Sequence, residues 1–82
     1  MMTWTEAISL VLKDRIQKKG LKTTKVSLTA GYQRNYLSKL FRGGKKFISN
    51  DELEPIAAIV GLSVLDINRM ALKKKKVLAS HT

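Results

Sequence analysis

Apolar side chains recur along this chain at intervals of three and four residues, and the rhythm is interrupted at Gly20, Gly31, Gly43-Gly44 and Gly61. That period belongs to helices carrying one inward stripe. Five helical segments follow from it. The first can be capped by Thr3 or Thr5, carries Glu6 in its opening turn, and shows an apolar face of Ala7, Ile8, Val11, Leu12 and Ile16. It runs to about Lys19 and stops at Gly20; Lys18 and Lys19 suit the negative end of its dipole. The second and third segments are short, roughly 24–30 and 33–41. In the loop 45–50, Phe47 and Ile48 are expected to enter the core. A fourth helix begins at Ser49, Asn50 or Asp51, with Glu52 and Glu54 in its first turn and Leu53, Ile56, Ala57, Ile59 and Val60 inward. Pro55 is tolerable there because the first turn has spare backbone donors. The fifth follows Ser63, with Asp66 placed as in a capping box.

The two short segments have to cross within a few residues. Val26 and Ala30 form one inward pair and Leu37 and Leu40 another, while Gly31 lies between them and Ser27 and Ala30 are small enough for close approach. This is the pattern of a helix-turn-helix, although a plain structural hairpin satisfies the same spacing. The polar residues separate the two readings. Gln33, Arg34 and Asn35 cluster where the second helix of the pair starts, and Ser38, Lys39 and Arg42 continue its outer face. Gln and Asn match the N6/N7 edge of adenine and Arg the O6/N7 edge of guanine, each through two hydrogen bonds. A major-groove reader carries such groups at that end; a solvated face carries them singly.

With 82 residues the chain is one module. The expected organisation is a domain over 1–72 and a basic, poorly ordered tail over 73–82, opened by the four lysines from Lys73 to Lys76. The apolar residues Val64, Leu65, Ile67, Met70 and Leu72 exceed one stripe, so the last helix either packs them all or exposes some for a dimer contact. Lys and Arg number 16 against 6 acids, a net charge of +10. Such a balance points to a polyanion, nucleic acid first and an anionic membrane surface second. From Lys13 to Lys46 the sole acid is Asp14, so the positive field centres on the helix-turn-helix.

Little else in the sequence suggests chemistry. Without cysteine there are no disulfides or thiolate metal sites, and the one histidine, His81, stands next to the end of the chain. No nucleophile is paired with a base, and Gly43-Gly44-Lys45-Lys46 lacks the spacing of a phosphate-binding loop. The expectation is therefore a protein that is not an enzyme and needs no cofactor or metal. No apolar run spans a bilayer and no signal-peptide pattern is present, from which a cytoplasmic location, on the nucleoid through DNA, is expected.

Over residues 6–72 the chain resembles the lambda-repressor-like, Cro/CI-type helix-turn-helix domains of phage and bacterial regulators. The likeness is carried by Gly20-Leu21, Ala30-Gly31-Tyr32, Tyr36-Leu37-Ser38-Lys39-Leu40 with Phe41-Arg42-Gly43 after it, and Ile56-Ala57-Ala58-Ile59-Val60-Gly61-Leu62-Ser63. The resemblance implies an all-α, compact five-helix domain whose helix-turn-helix is formed by helices 2 and 3. It implies base contacts from Gln33, Arg34 and Asn35, with Tyr36 and Lys39 nearby. Phosphate contacts would come from Thr23, Thr24, Lys25, Ser38, Arg42, Lys45 and Lys46. The chain departs from the family at Thr23, where many relatives carry Gln, and in the longer loop after helix 3. It also has Ile16 and Phe41 where relatives place an ion pair, and replacing both partners by apolar groups predicts that these two touch.

The expected function is that of a sequence-specific transcription regulator on double-stranded DNA, a repressor by occupancy, working as a homodimer on half-sites roughly 34 to 36 Å apart. Two other readings stand beside it. One is an antitoxin-like module that grips a partner protein and represses its own operon, and the other a sequence-neutral packaging protein.

Overall fold

In the computed structural model, which describes residues 3–45 and 47–80 and the side chains of these up to Lys75, Thr3 accepts the backbone N–H of Glu6 at 3.1 Å and so starts the first helix. The order is α1 (Trp4–Lys18), α2 (Thr23–Thr29), α3 (Tyr36–Phe41), α4 (Asn50–Val60) and α5 (Val64–Ser80). No strand occurs among the described residues. The capping signals read from sequence are used. Ser49 and Glu52 form a reciprocal capping box at α4, and Ser63 and Asp66 pair in the same sense at α5, at 3.0 and 3.3 Å.

Helix α1 is the central element, packing on α3, α4 and α5, while α2 crosses α3 and leans on α4. Ile8, Leu12, Leu37, Leu40, Leu53, Ile56 and Ile67 are fully buried among them. Ile16 belongs to this cluster and Phe41 is among the half-buried residues packed against it. Two basic residues at the C-terminal end of α1, Arg15 and the cap residue Lys19, reach across to the end of α4. Arg15 donates from Nε to the carbonyl of Val60 at 3.3 Å, and the Lys19 ammonium reaches Gly61, so both cations sit at the electronegative end of α4.

The structure corrects two expectations. Helix α3 begins at Tyr36, not Gln33: residues 33–35 form a separate tight turn, closed by the Tyr36 N–H donating to the carbonyl of Gln33 at 3.0 Å. Phe47 does not enter the core. It is 68% exposed while Ile48 beside it is 3% exposed, because neighbours in an extended segment point to opposite sides. Helix α5 continues through the lysine-rich run to Ser80. No Gly or Pro interrupts residues 64–80, Lys, Leu and Ala all favour helix, and the Lys75 ammonium lies 5.6 Å from the centre of the Trp4 ring on α1. His81 lies outside the described residues.

Candidate nucleic-acid interface

The site starts from one buried hydroxyl. Ser27, on α2, is fully buried; its Oγ donates to the carbonyl of Thr23 at 3.0 Å and accepts the backbone N–H of Leu37 at 3.2 Å. Helix α3 has no side-chain cap of its own at Asn35, so α2 supplies one from across the corner. The preceding turn is as tightly set. Gly31 takes φ +88°, a left-handed conformation in which a Cβ is strained, and the Tyr32 N–H returns to the carbonyl of Ser27 at 3.0 Å. Six residues make too short a helix to persist alone, so the orientation of α3 comes from these bonds and from Leu37 and Leu40 in the core.

Fixed in this way, the turn leaves Gln33, Arg34 and Asn35 exposed, together with Lys25, Lys39 and Arg42. Thr23, Thr24 and Ser38 are partly exposed around them. Gln33, Asn35, Tyr36, Lys39 and Lys45 are brought together around one open concavity of about 370 Å³, with Tyr32 and Gly44 completing its wall. Arg34, Thr23, Thr24, Lys25, Ser38 and Arg42 do not line it, and Lys46 lies outside the described residues. Gly44 is required for the loop to pass so close: a Cβ there would stand 2.8 Å from Cγ of Lys39 and 3.3 Å from its carbonyl oxygen.

Behind the concavity is a polar cluster. The rings of Tyr32 and Tyr36 stack at 4.1 Å between centroids. The Tyr32 hydroxyl donates to the backbone carbonyl of Glu52 at 2.8 Å, and the Tyr36 hydroxyl donates to Oε2 of the same residue at 2.6 Å. Lys45 pairs with that oxygen at 3.0 Å and lies 5.5 Å from the centre of the Tyr36 ring. The Tyr36 hydrogen bond, helped by Lys45 and Ser49 and opposed by partial desolvation, holds the Glu52 carboxyl down at about 2. Burial and the Glu52 charge push both phenols up, Tyr36 the further. Thus Tyr36 and Lys45, read from sequence as DNA contacts, both reach inward to Glu52 as well as lining the groove. Sequence reasoning assigned Glu52 to the cap of α4 and missed this second role. The available signal was the pair of tyrosines four apart on an otherwise polar face, but no local spacing connects them to a residue 16 positions on.

Among the described residues, no group of three His, Cys, Asp or Glu side chains is placed to hold a metal ion, and no single helix is long and apolar enough to cross a membrane. The chain matches no family model and no curated protein. Solved structures do match. The crystal structure of the clp gene regulator ClgR from Corynebacterium glutamicum superposes with a TM-score of 0.88 at 25% identity, covering 98% of this chain and 84% of that one. A second crystal structure of the same regulator gives a TM-score of 0.80 at 26% identity over 90% of this chain and 95% of that one. The fold is an all-α domain of helix-turn-helix type.

Proposed function

We propose that this protein is a transcription regulator that binds double-stranded DNA by sequence, with the turn at Gln33–Asn35 and the outer face of α3 in the major groove. One observation carries this reading: three side chains able to make two hydrogen bonds each to base edges stand exposed on a turn that Ser27 and Gly31 hold rigid. The net charge of +10 supplies the phosphate attraction, and the likeness to ClgR, a gene regulator, agrees with it. Gln33, Arg34 and Asn35 read bases, and Lys39 follows one turn later. Tyr36 acts from the groove wall through its ring, since its hydroxyl is engaged. Thr23, Thr24, Lys25, Ser38, Arg42 and Lys46 hold phosphates, while Lys45, which the sequence groups with them, is engaged by Glu52 at the rim of the same face. Cro/CI-type ancestry, repression by occupancy and action on the nucleoid in the cytoplasm belong to the same proposal.

A module this small reads few base pairs, so the working form is a homodimer on two half-sites about one helical turn apart. Leu65 and Leu72, two turns apart on one face of α5 and 59% and 45% exposed, are the apolar surface offered to a second copy.

The test is a titration of labelled DNA from upstream of its own gene against a shuffled duplex at about 150 mM salt. A preference of about a thousandfold or more supports an operator-specific regulator. Arg34→Ala should then lose about 1 to 3 kcal/mol on that operator and little on other DNA. Equal loss on every sequence would overturn base reading in favour of the packaging role.

A further inference from the structure

Four hydrogen-bond donors converge on the side chain of Glu52. Oε2 receives the Tyr36 hydroxyl and the Lys45 ammonium; Oε1 receives the N–H of Ser49 at 3.4 Å and its hydroxyl at 3.2 Å. The pair with Lys45 is partly shielded, with the two side chains 29% and 32% exposed, unlike the open Lys18–Asp14 pair on α1. Shielding lowers the effective dielectric, so the two charges act chiefly on each other. Lys45 is also on the rim of the concavity beside Gln33 and Asn35. The neighbouring acids of α4 are placed differently, since Asp51 and Glu54 line a separate concavity with Leu62 and Ser63.

We propose that Glu52 is a built-in counter-anion that restrains the affinity of this face for DNA, occupying on Lys45 the place a backbone phosphate would take. The proposal rests on the DNA-binding reading above. An ammonium and a hydroxyl meeting one anionic oxygen is how a protein commonly grips a phosphate, and here the chain supplies the anion itself. While that carboxylate is present, Lys45 adds almost no net charge to the interface and releases no counterion. Without it, Lys45 neutralises one phosphate more.

Glu52→Gln removes the charge at nearly constant shape: its one amide oxygen keeps the capping box with Ser49, and its NH2 faces Tyr36, whose hydroxyl turns from donor to acceptor. Asp51→Asn makes the same change of net charge one residue away. Affinity for a short duplex of arbitrary sequence is followed by fluorescence anisotropy from about 50 to about 200 mM salt, with a melting curve for each variant. Glu52→Gln should bind more tightly at low salt and steepen the log–log salt slope by about 0.9, so that over this range it loses about 3.5-fold more affinity than the parent. Asp51→Asn should keep the parental slope, and adding Lys45→Met to Glu52→Gln should restore it. An unchanged slope in Glu52→Gln, equal steepening in Asp51→Asn, or steepening that survives Lys45→Met would each overturn the proposal. Lys45→Met alone gives a check independent of how Glu52→Gln folds: a slope shallower by about 0.9 would mean that Lys45 already sits on a phosphate, and the restraint does not exist. A parent protein that binds no duplex at any salt removes the DNA-binding reading itself, whereas a parent that binds beside an unaltered Glu52→Gln removes this inference alone.

Discussion

The hydroxyl of Ser27 accepts the backbone N–H of Leu37 at 3.2 Å and thereby makes one helix of the corner the cap of the other. The bond is buried, ten residues apart in sequence, and joins the element that leans on α4 to the one that carries the exposed polar face. Removing it leaves the Leu37 N–H without its partner in the interior. Ser27→Ala should therefore cost about 1 to 3 kcal/mol, and since a domain of this size shifts by roughly 4–8 °C per kcal/mol, the thermal midpoint should fall by several degrees. A melt monitored by far-ultraviolet circular dichroism decides it, and an unchanged midpoint would show that the corner is held by packing alone.

Gly31 tests the turn rather than the cap. A Cβ at this position meets nothing within 4 Å, so any cost of Gly31→Ala comes from its φ of +88° and not from a clash. The expected loss is about 1 to 2 kcal/mol in urea unfolding, with the slope of the transition unchanged. A variant as stable as the parent would mean that the turn relaxes to a negative φ, and base-reading geometry would be lost while stability was kept.

The Glu52 carboxyl links stability to acid. Its folded value, about 2, is below its ordinary 4.5, so the charged form is favoured in the folded protein; the contribution is complete above about pH 4.5 and is lost as pH falls through about 2. The stability difference between the parent and Glu52→Gln should therefore be flat above pH 4.5 and shrink between there and pH 2. Denaturant melts at a series of pH values measure it. A difference independent of pH across that interval would mean that ionisation of Glu52 adds nothing to stability.

Leu65 and Leu72 are exposed enough that Leu65→Ser and Leu72→Ser should change the stability of the single chain by no more than about 0.5 kcal/mol. In sedimentation equilibrium the same variants should weaken self-association of the protein, free or on DNA. A parent that is monomeric in both conditions would rule the dimer out.

Much of this protein was settled by its sequence. Helix period, the capping pairs Ser49–Glu52 and Ser63–Asp66, and the glycine at the corner act over three or four residues, and each was legible before any coordinates. The trio Gln33, Arg34 and Asn35 was legible as a polar cluster beside the corner, but its exposure comes from a separate turn ahead of α3 and not from the stripe of Leu37 and Leu40. Other features depended on residues far apart in the chain. That α3 starts at Tyr36 follows from where Ser27 can reach, and of the adjacent apolar pair Phe47 and Ile48 only Ile48 turns inward. The helix through the lysine run gains its brace from Trp4, at the other end of the chain. Above all, the meeting of Tyr32, Tyr36 and Lys45 on Glu52 exists because α4 packs behind the corner. Local periodicity sets which face of each helix turns inward, but which side chains then meet is decided by packing, and there the polar partners of this groove were chosen.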